Sequence, residues 1–439
     1  MKVWFSEKNM HQIYSLKKNI FILIFFLCLF FPFFIKIEIF NHFIVNLKEI
    51  IFLISAAWLH IFIIKKIENK KNIKLINYLL IIVFFIHILS SLYFMYISKK
   101  NYTYFYADIF RSIIICYSCI IFFFIFNKTL REKNLISIIK LFYFINILIF
   151  IEFILSIIIK KILNLQIIQI AYPDNIFRSM IVNGHIVTTI FLCTAIILGF
   201  YLYELKKEKR YLISNILLIM PVFSNIETRL TIFAFVFSII LLFLFKNKKI
   251  FSLKFIIISN ILFLLMLLGL VVVSNYENGH YFVNIFEYKI YTSSLIDRVN
   301  LFIISIIAFF NYPYGFGYQT SSHFFPYLKF MPNIFIGSEN LFGSFLIFSN
   351  NYIETHGSPA RGHSYVANIL NTFGIFLFPI YLILKKISQK KEYFANNVKF
   401  YISVIVVFFS TSSLLNYTYE TELLFTFFLS FYWRFYKKI

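Results

Sequence analysis

Apolar runs recur down the whole chain, and each is closed by a short basic or polar segment. They cover residues 19–36, 47–64, 75–96, 108–126, 138–159, 185–203, 211–226, 230–245, 254–273, 363–384, 399–415 and 421–435. Each run is near the roughly 20 residues that an α-helix needs to cross ~30 Å of hydrocarbon at 1.5 Å per residue. The pattern predicts an all-α fold, a polytopic bundle of about twelve transmembrane helices. No second pattern interrupts it, so residues 1–439 are expected to form a single integral membrane domain. The run at 20–35 follows Lys2, Lys8, Lys17 and Lys18 and has no small-residue cleavage site behind it. It reads as a retained first helix, not a removed signal peptide.

One connection differs from the rest. Residues 274–362 hold seven of the eleven glycines and four of the eight prolines. Connections longer than about 15 residues are uncommon unless they are functional. Within this loop, residues 297–310 have apolar spacing compatible with a short helix. The segment 311–318 (NYPYGFGY) follows, where Pro313, Gly315 and Gly317 impose turns and permit close backbone approach. A second loop, 160–184, carries Pro173, Asp174 and Arg178.

Charge sets the expected orientation. If the N-terminus is cytoplasmic, segments 1–18, 65–74, 127–140, 204–210, 246–254, 385–399 and 434–439 share its side, and they contain 29 of the 42 lysines and arginines. That asymmetry is what the positive-inside bias produces, so both termini are expected in the cytoplasm and loop 274–362 on the outer side of the membrane. Charged residues are 14% of the chain and hydrophobic residues 60%, against about 25% charged in soluble domains. The net charge of +23 therefore belongs to small clusters flanking apolar runs, which fits anionic headgroups and not nucleic acid.

Candidate chemistry is sparse. Cys116 and Cys119 have C-x-x-C spacing but lie, like Cys28 and Cys193, in apolar runs, where they read as packing residues. There is no P-loop, no H-E-x-x-H and no spacing suited to metal ligands, so no cofactor or metal is expected. Carboxylates within the spans are few. Glu152 is solitary, and it reads as a hydrogen-bonded packing residue. Arginines are different. Arg111, Arg178, Arg229 and Arg298 fall on the expected outer side, against the charge bias. A convergent guanidinium cluster suits a phosphate or pyrophosphate, because each presents a planar fork of donors. For Arg229 the plain alternative is a helix end paired with Glu227. His363 opens the tenth span at the expected water–lipid boundary, where an imidazole could act as a general base. The alternative is a histidine that marks a helix end. His356 and His185 are further candidates on that side, whereas His60 and His87 read as packed or hydrogen-bonded helix residues.

Four segments together resemble the O-antigen polymerase and ligase superfamily, the Wzy-type bacterial polysaccharide polymerases, over roughly residues 170–384. They are 177–185 (FRSMIVNGH), 224–229 (SNIETR), Arg298 with 312–318 (YPYGFGY), and His363-Ser364 followed by Gly374. The 224–229 segment is similar to a Ser-x-Ser-Arg element with two extra residues, and Leu377 stands where the family's second glycine would be. The resemblance implies a glycosyltransferase that polymerises undecaprenyl-pyrophosphate-linked oligosaccharide repeat units at the periplasmic face, building O-antigen or capsular polysaccharide. Arg178, Arg229 and Arg298 would bind pyrophosphate, and His363 would activate the acceptor hydroxyl with Arg298 beside it. Gly315, Gly317, His356 and His185 would shape the substrate loop. The expected partners are that lipid-linked oligosaccharide and the bilayer, with a chain-length regulator left open. Two alternatives share the sequence features. One is a ligase transferring polysaccharide to lipid A-core or protein; the other is a non-enzymatic flippase or transporter of lipid-linked sugars.

Overall fold

The structure is a computed structural model that describes residues 23–26, 29–30, 36–39, 43–66, 70–98, 105–129, 132–162, 179, 182, 185–224, 228–245, 253–277, 280–285, 288–291, 302, 306, 309–310, 313–315, 373–387, 394–413 and 419–436. These residues are mostly helical. Residues 23–26 and 29–30 are helical within the first expected span. The later helices are α1 (Leu47–Lys66), α2 (Lys70–Ser98), α3 (Phe105–Thr129), α4 (Glu132–Ile162), α5 (His185–Lys206), α6 (Arg210–Ser224), α7 (Arg229–Phe245), α8 (Leu253–Val272), α9 (Leu377–Ile387), α10 (Asn396–Ser413) and α11 (Tyr419–Tyr436). A 3₁₀ turn, Gly374–Phe376, leads into α9. Two of the helical segments, Asn134–Ile158 and Ile186–Lys206, are long and apolar enough to cross a membrane, and several shorter helices are also apolar.

The all-α expectation needs one correction. Two small antiparallel sheets accompany the helices: β1 (Lys36–Ile39) paired with β2 (Phe43–Asn46), and a meander of β3 (Asn275–Glu277), β4 (His280–Ile285) and β5 (Tyr288–Tyr291). Both lie between apolar runs, where aromatic and β-branched residues such as Tyr281, Val283, Ile290 and Tyr291 fit a pleated surface better than a helix.

Helix α5 is the centre. It packs against α4, α6, α7, α10 and α11. Residues all round it, from Val187 through Ile190, Leu192, Ile196 and Leu198 to Leu202, are buried. A helix that is apolar on every side must be enclosed by other apolar matter. Around α5 the polar side chains turn inward. Thr194, Ser238, Ser403 and Thr411 each donate to the carbonyl four residues back, so each is satisfied within its own helix. Others tie neighbouring helices together. Asn127 Nδ2 donates to the Ser430 carbonyl at 3.1 Å, joining α3 to α11. Asn260 Nδ2 donates to Ser410 Oγ at 2.8 Å, joining α8 to α10.

His60 links three helices. Its Nδ1 is 3.0 Å from the Tyr117 hydroxyl and its Nε2 is 3.0 Å from Asn77 Oδ1. One neutral tautomer, protonated at Nε2, satisfies both contacts. The reading of His60 as a hydrogen-bonded helix residue agrees with this geometry.

The tightest node joins α4, α5 and α6. Asn215 Nδ2 donates to the Ile196 carbonyl at 3.0 Å, and the Tyr143 hydroxyl reaches Asn215 Oδ1 at the same distance. Gly199 makes room for both, since a Cβ there would sit 2.7 Å from Asn215 Cγ and 2.7 Å from Tyr143 Cε2.

The outer surface is apolar, as the core is. Ile81, Phe85, Ile213, Ile216, Phe243, Leu244 and Leu265 are exposed, Phe243 by 64% and Ile216 by 63%. Soluble monomers rarely present contiguous apolar patches beyond a few hundred Å². Polar groups inside and large apolar side chains outside is the distribution that helix association in lipid favours.

Candidate functional site

Sequence motifs direct attention to the N-terminal end of α5. Ser179 is buried and its Oγ donates to Glu152 Oε2 at 2.6 Å, a short hydrogen bond to α4. Val182 is fully buried three residues on, so the chain entering α5 is pinned twice before His185 opens the helix. On the other flank, Thr228 Oγ1 donates to Thr189 Oγ1 at 3.1 Å, and both hydroxyls are buried. Arg229 is the first residue of α7, immediately after Thr228.

The two latches lie at similar height. Glu152 is about 30 Å along α4 from its start and Thr189 about 26 Å from the end of α5 at 1.5 Å per residue. The start of α4 and the end of α5 share one end of the bundle. Tyr201 of α5 lies against Tyr401 near the start of α10, and Arg434 at the end of α11 sits over Phe394, just ahead of α10. Asn127 ties α3 to α11 close to the turn that leads into α4. Lys206, Lys209 and Arg210 crowd that same end, with Glu208 paired to both Lys206 and Arg210. Helix α6 has 15 residues against 31 in α4. It therefore spans about 22 Å against about 46 Å. The end of α6 at Ser224 thus stops well short of the far end of α4, and α7 begins five residues later at Arg229.

A third contact joins two motifs from separate parts of the chain. The Ile375 N–H donates to the Pro313 carbonyl at 2.7 Å, holding the turn Pro313–Gly315 against the start of the 3₁₀ turn. Gly315 is buried with φ +83°, and Gly374 is buried with φ +53°. Both lie in the left-handed region that side chains disfavour. A Cβ on Gly374 would also collide with the Pro313 carbonyl oxygen and come within 2.6 Å of the Gly315 nitrogen. Two glycines are needed for this approach. Phe302 and Ile306, helical and one turn apart, pack on the core just before the turn, in agreement with the expected short helix at 297–310. On the α9 side, Phe373 lies 6.1 Å from the buried His87 ring of α2.

Of the residues expected at the site, Gly315 has a full environment here, while Arg229 and His185 have their backbone positions at the starts of α7 and α5. Arg178, Arg298, Gly317, His356 and His363 lie outside the described residues. Sequence reasoning named Glu152 as a packing residue, and its bond to Ser179 fits that reading. It missed Ser179, Thr189 and Thr228, whose small hydroxyls look neutral in an apolar run until their partners are known. Among the described residues no group of three or more His, Cys, Asp or Glu could hold a metal ion. Comparison of this chain with protein-family models, curated proteins and solved structures finds no match.

Proposed function

We propose that this protein is a multi-pass membrane glycosyltransferase that polymerises undecaprenyl-pyrophosphate-linked oligosaccharide repeat units on the periplasmic side of a bacterial inner membrane. The observation that carries the reading is a pair of buried latches at similar height beside the start of α5: Ser179, next in sequence to Arg178, bonds to Glu152, and Thr228, next in sequence to Arg229, bonds to Thr189, in a bundle whose surface is apolar. A lipid-tethered pyrophosphate has to be met where the bilayer gives lateral access and water is near. The shortness of α6 beside α4 supports placing that meeting point next to the start of α7.

The chemistry follows from the groups proposed there. The acceptor hydroxyl of one lipid-linked unit attacks the anomeric carbon of the chain on a second carrier. The bond from that carbon to the pyrophosphate oxygen breaks, and undecaprenyl pyrophosphate leaves. His363 takes the hydroxyl proton. Arg178, Arg229 and Arg298 stabilise the charge that grows on the departing pyrophosphate, which preorganised guanidinium groups do most strongly in a site with little water. The Pro313–Gly315 turn, fixed on Gly374, closes over the sugars.

A deletion strain tests the proposal. Removing the gene should leave surface glycans carrying a single repeat, and restoring the chain should restore a ladder of long polymers. Long polymers stranded on the carrier lipid in the deletion would instead indicate a ligase. An unchanged ladder would remove the protein from this pathway.

A further inference from the structure

We propose that the seam between α4 and α6 binds an anionic phospholipid, its phosphate between Lys140 and Arg210 and its acyl chains along the exposed apolar flanks of the two helices. The inference is independent of the proposed reaction and of the residues that would carry it out.

Helices α4 and α6 both start at the end of the bundle where α5 finishes, and they pack side by side. Tyr143 sets their register. Its hydroxyl reaches the Tyr211 carbonyl at 3.1 Å and Asn215 Oδ1 at 3.0 Å, and Ser214 bonds to the same hydroxyl. Lys140 stands about one turn before Tyr143, and Arg210 immediately before Tyr211, so the two cations lie at similar height. At 3.6 residues per turn, Lys140 is about 60° round α4 from Tyr143, and Arg210 about 40° round α6 from Ser214. Each cation therefore stands beside the seam on its own helix, and both are exposed.

The turn between α5 and α6 concentrates further charge there. Lys207 has φ +58° and its N–H donates to the Tyr203 carbonyl at 2.6 Å, so the chain reverses within a few residues. Residues 206–210 hold four cations and one carboxylate, Glu208, which pairs with both Lys206 and Arg210. Arg210 also lies over the Tyr211 ring at 5.2 Å, which fixes its direction. Tyr203 and Tyr211 are half-buried, as tyrosines at headgroup level commonly are. Apolar side chains continue from each cation. Ile213, Leu217 and Met220 follow Arg210 along α6, and Phe144, Leu148 and Ile151 follow Lys140 along α4, all of them exposed. A cation heading an exposed apolar stripe, on two adjacent helices, matches the two parts of a phospholipid. The excess of positive charge selects an anionic lipid over a zwitterionic one. A soluble anion would gain nothing from the stripes.

The test uses the purified full-length chain in detergent micelles, with bound lipid counted by native mass spectrometry. Dioleoyl phosphatidylglycerol is the probe and dioleoyl phosphatidylcholine the zwitterionic control, and wild type should prefer the probe by about tenfold or more. Lys140→Gln and Arg210→Gln should each lower that preference about fivefold, as expected for one basic residue at a lipid surface, and the double variant should bring it near parity. Arg210→Lys keeps the charge and should stay within about threefold of wild type. Lys254→Gln removes an exposed cation on α8 and should leave the preference unchanged. A photoreactive acyl chain on the phosphatidylglycerol should label peptides of α4 and α6. The substituted side chains are exposed, so an unchanged thermal midpoint is expected in every variant. Equal binding of the two lipids by wild type, a preference that survives the double substitution, an equal loss in Lys254→Gln, or labelling confined to other helices would overturn the proposal.

Discussion

Alanine at Gly374 is expected to abolish long polymer while the protein still accumulates in the membrane. Gly374 holds φ +53°, a conformation that costs an L-residue about 1–2 kcal/mol. The new methyl would also run into the Pro313 carbonyl, which accepts from Ile375 at 2.7 Å. That bond contributes about 1 kcal/mol, and the collision forces it to lengthen or break. Whichever way the clash resolves, the Pro313–Gly315 turn is displaced from the start of α9. A misplacement of about 1 Å in a group that orients substrate can lower a rate roughly 100-fold. The helices beneath the turn are unaffected, so membrane levels should be near normal. Polymer length resolved on a gel and protein level on a blot are the two readouts. A normal ladder from the Gly374→Ala protein would show that the turn does not shape the site.

Alanine at Gly199 is expected to act on the fold. Its methyl would overlap the Asn215 side chain and the Tyr143 ring, at a place where α4, α5 and α6 interlock through buried hydrogen bonds. Overpacking of this kind costs about 1–3 kcal/mol. Separating Tyr143 from Asn215 adds about 1–3 kcal/mol for polar groups left without a partner. The loss should show as a lower thermal unfolding midpoint in detergent and reduced accumulation. Adding Asn215→Ala to Gly199→Ala should recover part of the loss, because it removes the obstructed side chain. A midpoint equal to wild type for Gly199→Ala would mean that the three helices can move apart at little cost.

The helices were largely legible in the sequence because lipid-length apolar runs with basic flanks have few competing readings. The described helices follow those runs closely: the expected span 211–226 is matched by Arg210–Ser224, and 399–415 by Asn396–Ser413. The small sheets were not legible. A four-residue strand such as Phe43–Asn46 sits directly against the helix that follows it, so no turn signal separates them. At the site, Gly315 could be read because a left-handed turn leaves few other choices. The latches could not be read, since Ser179 is 27 residues from Glu152 and Thr228 is 39 from Thr189. A hydroxyl becomes informative only when the helix opposite it is known. Glu152 was the exception that sequence did reveal, through the cost of a carboxylate in an apolar run.

Reconstitution tests the central claim most directly. The purified chain, placed alone in liposomes with lipid-linked repeat units from the strain that encodes it, should convert them to a ladder of polymers and release undecaprenyl pyrophosphate. His363→Ala and Arg298→Ala proteins in the same liposomes should give no ladder. Repeat units that stay single with correctly inserted wild-type protein, or a ladder that survives both substitutions, would contradict the account.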